Sequence, residues 1–336
     1  MTGHVVVAGN LSLDDTVTPD SAFAAASGGD ALYASLAVRA FGLTPVLLTL
    51  VGDDYPAPYL GRIAAAGIDV SHVRRTVGPT VHYRVTYRAD GSRTFDWLST
   101  EDRLLLTSPE ARDFGTAGAG PLHGAAWLHV AAMPIEAQAV AVAAGRAAGV
   151  PVSLDPHEEF VAGYERRLAQ LVEGTAFMPS ELEARLLFPD LESADDVAFG
   201  FAAAERLDGW GPMLVAIKLG AHGSVVRRQG RSAHVPAPVV PVVDPTGAGD
   251  AYCGGFVAGW LSTRSLEVAA ACGTIAAAET IGAFGAFRVS DSASIIERYE
   301  RVAALVGGGN NGGPRPGELE SALVMLHDRI GMVSSS

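Results

Sequence analysis

Val242-Val243-Asp244-Pro245-Thr246-Gly247-Ala248-Gly249-Asp250 leads without a break into Ala251-Tyr252-Cys253-Gly254-Gly255-Phe256-Val257-Ala258-Gly259-Trp260. Apolar residues run into a glycine-rich turn, and the turn opens a helix. The first turn of a helix has unsatisfied N–H groups and partial positive charge, so small residues there let an anion approach the main chain. Gly247, Ala248 and Gly249 line such a cradle. Asp250 adds a carboxylate beside the anion, which suits a base facing a phosphoryl group. As an Asp at a helix start it also reads as a cap.

The composition sets outer bounds. The 336 residues, 49% of them hydrophobic, suffice for one large α/β domain with or without a small appendage. A formal net charge of -13 is the wrong sign for holding nucleic acid by its phosphates. It does not oppose ATP, which a magnesium ion and backbone N–H groups can hold without a basic surface. Cys253 and Cys272 are the 2 cysteines; they lack metal-ligand spacing and read as buried free thiols. The N-terminus shows no secretory pattern and no apolar run reaches membrane length, so a cytoplasmic protein without a membrane partner is expected.

Outward from that stretch the chain alternates strands and helices, the rhythm of a doubly wound α/β sheet. Val5 to Gly9 reads as a buried parallel strand whose carboxyl end, Asn10 to Asp15, faces a ligand crevice. Asp14 there is a turn former or a ligand contact. Ser27-Gly28-Gly29-Asp30 opens a helix with Leu32, Leu36 and Ala40 on one face, followed by a strand from Val46 to Val51. Between Thr76 and Asp102, Val81, Tyr83, Val85 and Tyr87 alternate with polar residues and turn through Ala89 to Ser92 into Arg93 to Trp97: a two-faced hairpin, on which Phe95 and Trp97 call for a partner. The alternation resumes at Ala126. Ser180 followed by Glu183 has the form of a capping box. Lys218, after a strand from Met213, can reach a phosphate or face solvent, and Gly220 and Gly223 can be hairpin glycines. Alanines from Leu266 to Thr280 permit close approach of another helix or of an adenine ring. Gly307 to Pro316 reads as a linker before a stripe of Leu319, Leu323, Leu326 and Ile330.

Asp244 to Asp250 resembles the signature of the ribokinase-like, or PfkB-type, carbohydrate kinases. The resemblance spans about residues 4 to 305 and implies a ribokinase-like domain over 1–305 with a small β-sheet lid from about 14–27 and 76–102, a linker over 306–317 and a tail over 318–336 with a short amphipathic helix. It implies that Asp250 deprotonates the acceptor hydroxyl. It assigns substrate contacts to Ser12, Asp14, Gly28, Gly29 and Tyr33, with Ser12 and Tyr33 each standing where the sugar kinases have Asn. It assigns the nucleotide to Lys218, Gly220, Gly223 and Thr246, and water-mediated Mg2+ to Glu183, although Ser180 departs from the family's Asn. Asp244 and the Gly282 to Gly285 region correspond to a monovalent-cation (K+) site, and the lid of such kinases often pairs with its copy in a homodimer.

The sequence therefore implies an ATP-dependent kinase acting on a hydroxyl, a primary alcohol, of a sugar or sugar-like molecule. The rivals are a nucleoside kinase of the same fold and a non-catalytic ligand-binding protein built on it. A nicotinamide-dependent enzyme is set aside, because Gly9 to Asp14 lacks the spaced glycines of a dinucleotide turn.

Overall fold

Val5-Val6-Val7-Ala8 is apolar at every position, which suits a strand covered on both faces. In the computed structural model, which describes residues 3–19, 21–88, 93–116, 118–191, 193, 195–288, 293–307 and 324, it forms β1 (Val5–Ala8). Val5 and Val7 enter one core layer, Val6 and Ala8 the other, the two-residue alternation of a strand. Parallel partners flank β1: β4 (Pro45–Val51), then β5 (Asp69–Arg75), on one side, and β8 (Trp127–Val130), β9 (Val152–Leu154), β10 (Ala176–Phe177) and β11 (Leu214–Lys218) on the other. The antiparallel strands β12 (Ser224–Arg228) and β13 (Arg231–Val235) complete a 9-stranded sheet.

Helices cover both faces. The layer with Val5 and Val7 is closed by α1 (Asp30–Ala40), α2 (Ala57–Ala65), α8 (Ala248–Thr263), α9 (Leu266–Thr280) and α10 (Ile295–Gly307). The opposite layer is closed by α4 (Ile135–Ala148), α5 (Glu165–Val172), α6 (Glu181–Leu187) and α7 (Asp196–Asp208). This is the doubly wound architecture that the alternation predicts. One expectation changes: α1 does not bury a single face. It is buried at every position from Ala31 to Val38, because it lies between the sheet and α8.

Small residues make that double packing possible. A Cβ on Gly254 would lie 2.1 Å from the Ala34 carbonyl of α1, and one on Gly255 2.6 Å from the Cys272 carbonyl of α9. The alanine-rich α9 therefore serves helix packing. Both cysteines are buried free thiols, as expected. Among the described residues no helix is long and apolar enough to cross a membrane.

A second, 4-stranded sheet joins the two expected segments in the order β3 (Ala22–Gly28), β2 (Ser12–Val17), β6 (Val81–Tyr87), β7 (Arg93–Trp97). The turn from Ala89 to Ser92 and the side chain of Phe95 lie outside the described residues. So do the expected tail stripe and all of the linker beyond Gly307; residues 306 and 307 themselves belong to α10 rather than to a linker. That helix is anchored where Tyr299 donates to the Phe41 carbonyl at 3.1 Å and Arg298 to Glu279 at 2.8 Å.

Gly254→Ala should cost about 1–3 kcal/mol through overpacking against α1. Urea denaturation of the two proteins would check it, and an unchanged midpoint would mean that the α1–α8 contact is looser than described.

Candidate active site

The carboxyl ends of β1, β8 and β9 converge beneath the small sheet, where an open α/β sheet offers a ligand crevice. The space between them is a cavity of about 430 Å³. Asn10, Asp30, Gly247 and Asp250 come from the loops and helix starts of the large sheet, Ser12 and Asp14 from β2, and Tyr83 and Trp97 from the hairpin strands.

Gly247 precedes α8 in the left-handed region, at φ 75 and ψ 4. A side chain there would be strained, and its Cβ would stand 2.3 Å from the ring of Tyr33. Tyr33, in place of the expected Asn, both packs in the core and lines the cavity. The N-cap of α8 is Gly247, and Asp250 stands in the first turn of the helix, its carboxylate bonded by its own N–H and lining the cavity. Burial raises its pKa, against the opposing charge of Lys218 and its own N–H. The N–H of Ala248 already donates to the Pro245 carbonyl at 3.3 Å. Those of Gly247 and Gly249 make no hydrogen bond among the described residues, so the free donors flank Ala248 rather than include it.

Asp14 explains Gly28: a Cβ on Gly28 would lie 1.8 Å from the Asp14 carboxylate. Gly28 thus makes room for the carboxylate, while Gly29, at φ 103, forms the cavity wall. Burial pushes the pKa of Asp14 up to about 6, relieved by Ser12 and His82 and increased by the charge of Asp244. Asp30 accepts the N–H of Asn10 at 2.7 Å. Its pKa is raised well above the usual range, first by burial and then by Asp250.

Lys218 is not free. Its ammonium donates to both oxygens of Asp155, at 2.6 and 2.7 Å, and it is not part of the cavity lining. Burial opposes its charge, but Asp155, Cys253 and Glu183 outweigh that and raise its pKa. Gly220 and Gly223, with φ of 54 and 85, shape the turn between the antiparallel β11 and β12, which realises the hairpin reading. Glu183 makes both bonds of the capping box, Ser180 N–H to its carboxylate at 2.6 Å and its own N–H to Ser180 Oγ at 3.2 Å, and still lines the cavity. Asp244 is buried; its Oδ1 accepts from the Tyr87 hydroxyl at 2.6 Å and the Thr246 N–H at 3.0 Å. Thr246 shares that hydroxyl at 2.7 Å and also lines the cavity.

Asp30, Asp155 and the Tyr83–Trp97 wall, whose rings lie 4.4 Å apart, were not singled out as site residues from the sequence. Asp30 had its signal in the Gly-Gly-Asp helix start. Asp155 had one in its place directly after a buried parallel strand.

A mainly parallel sheet with a free-donor turn and a carboxylate at its crevice, under a small second sheet, defines a ribokinase-like α/β phosphotransferase. Residues 5–292 match the pfkB family carbohydrate kinase, and the chain belongs to that family. It is 29% identical to a cytidine kinase of Thermococcus kodakarensis over 85% of this chain and 99% of that protein. It is 27% identical to a fructokinase of Klebsiella pneumoniae over 84% of this chain and 93% of that protein. An E. coli structure described as a ribokinase II, in complex with ATP and Mg2+, superposes with a TM-score of 0.68 at 22% identity, covering 90% of this chain and 99% of that one. The protein is a kinase of that family, a phosphotransferase with a hydroxyl acceptor.

The raised pKa of Asp14 has a stability consequence. Its folded value of about 6 lies above the ordinary 3.8, so the contribution of the protonated form is complete below pH 3.8 and is lost as pH rises through 6. Asp14→Asn should therefore be more stable than wild type at pH 8, by about 1–2 kcal/mol, with the gap closing toward pH 4. Denaturant titrations at the two pH values measure it; a variant less stable at pH 8 would contradict the assignment.

Proposed function

We propose that the protein transfers the γ-phosphoryl group of ATP to a hydroxyl, a primary alcohol, of a sugar or sugar-like small molecule, with Asp250 as general base. The observation that carries this reading is the position of Asp250: in the cavity and in the helix turn whose Gly247 and Gly249 N–H groups are free. Asp14 accepts hydrogen bonds from the acceptor and Asp250 takes the hydroxyl proton as the oxygen attacks. The free N–H groups meet the charge on the transferring phosphoryl group. The small sheet over the cavity acts as the lid.

The site fits a magnesium nucleotide. Among the described residues no group of three or more His, Cys, Asp or Glu is placed to hold a metal, which suits an ion held mainly by phosphate oxygens and water, with Glu183 as its protein neighbour. When bound, Mg2+ neutralises the nucleotide phosphates. Lys218, Gly220 and Gly223 belong to the same side of the reading, but Lys218 acts by holding Asp155 and by its charge rather than as a free phosphate ligand. A nucleoside acceptor is the second reading, favoured by the aromatic rings of Tyr83 and Trp97 in the cavity wall and supported by the likeness to the cytidine kinase.

Asp250→Asn should keep the fold and lower turnover by roughly 10²–10⁴-fold. ADP release from magnesium-ATP, measured against a panel of sugars and nucleosides, tests this: near-normal turnover in the variant removes Asp250 from its role. Asp244 is 4% exposed and makes no ion pair among the described residues, which supports a K+ site at its carboxylate. Replacing K+ by a large organic cation at constant ionic strength should then lower kcat several-fold; unchanged kinetics would dismiss the site.

A further inference from the structure

Among the described residues the cavity is lined by six carboxyl side chains, Asp14, Asp30, Glu158, Glu159, Glu183 and Asp250, and by no lysine or arginine. Its basic ring, His157, is biased toward the neutral form by burial. Nearby cations are spoken for: Lys218 by Asp155, and Arg84 by Asp15 at 3.2 Å. One further side chain points to the ligand. Tyr33 lines the cavity, is 4% exposed, and its hydroxyl makes no hydrogen bond among the described residues. Burial and the carboxylates around it hold that hydroxyl in its neutral form, able to donate to a neutral polar group. The Tyr83 and Trp97 rings, tilted by 46° to each other, add aromatic faces to the wall beside Val81 and Val85.

We infer that the acceptor carries no phosphate or carboxylate: the cavity takes an uncharged polyhydroxyl compound or nucleoside, or one bearing an amino group. This rests on the kinase reading given above. The anion that the site must admit, the transferring phosphoryl group, meets the free N–H groups of Gly247 and Gly249. Elsewhere in the cavity a second anion would meet these carboxyl groups, with no lysine or arginine in the described lining to pair with it, a like-charge contact worth more than ~100-fold in binding. An ammonium group there would instead find acceptors on several sides, and a sugar ring or base would lie on the aromatic wall.

Two measurements test this. The first compares kcat/KM within sets that share a carbon skeleton: a neutral sugar or nucleoside, its phosphorylated or oxidised counterpart, and its amino derivative. The anionic member should fall at least ~100-fold below the neutral one, and the amino member should match or exceed it. An anionic member equal to its neutral partner overturns the inference and leaves the kinase intact. The second does not depend on turnover. Fluorescence of Trp97, isolated as the difference between wild type and Trp97→Phe, is quenched by caesium and by iodide, each normalised to free tryptophan amide. Caesium should quench the more strongly, and the double variant Glu158→Gln, Glu159→Gln should narrow the difference. Iodide quenching as strong as that by caesium overturns the inference even if no acceptor turns over, the result that would sink the kinase reading instead.

Discussion

Helix α8 has no solvent face along most of its length, and the site depends on that constraint. Every residue from Ala251 to Thr263 is buried, with α1 and α9 pressed against glycines on two sides. A helix held in this way cannot slide or roll without breaking packing on both sides, so its first turn is delivered to the crevice at a fixed depth. Gly247 then turns over the ring of Tyr33, a side chain of α1, and the same helix pair that packs the core sets the floor of the cavity. Donors fixed before the ligand arrives need no reorganisation when charge develops, which is where electrostatic catalysis gains most.

The charges of the site conflict with stability. Asp14, Asp30, Asp155, Glu183 and Asp250 are all driven toward their protonated forms, in each case chiefly by burial. Lys218 is the cation that eases Asp155, Glu183 and Asp250 together. A buried ion pair is weak evidence of net stabilisation. Its value here is local: it keeps a positive charge near Asp250 without adding an ammonium group to the cavity lining. Crowded carboxylates are tolerated at functional sites when the surrounding packing fixes them, as α1 and α8 do here.

Much of this was legible in the sequence where the information is local. The Asp244 to Asp250 stretch carries its own turn glycines and helix start, and the structure has that turn and that helix. The Val81 to Trp97 hairpin was readable by its two-residue alternation, and β1 by its unbroken apolar run. What was not legible is pairing across the fold. Lys218 is next to Asp155 only because β9, β10 and β11 lie side by side, and the sequence, offering phosphate or solvent, did not show that pairing. Leu32, Leu36 and Ala40 do form a stripe, yet α1 is buried around it because α8 covers the other side, and the alanines of α1 fit both readings. For Glu183 the local pattern was true and insufficient: the capping box is made, and the same residue still lines the cavity.

The link between the two sheets was the least visible feature. Tyr87 sits at the end of β6, where alternation alone makes it one more inward residue of the hairpin. Its hydroxyl donates to Asp244 and meets Thr246, so the second sheet is hydrogen-bonded to the loop that leads into Asp250. Asp14 arises from β2 of the same small sheet and faces the cavity opposite that loop. The sheet that presents the Asp14 carboxylate is therefore tied to the loop that leads into Asp250, six residues ahead of it. A shift of the small sheet changes the distance between Asp14 and Asp250 only by breaking or carrying the Tyr87 contact, so the separation of the two carboxylates is a property of the joint rather than of either sheet alone.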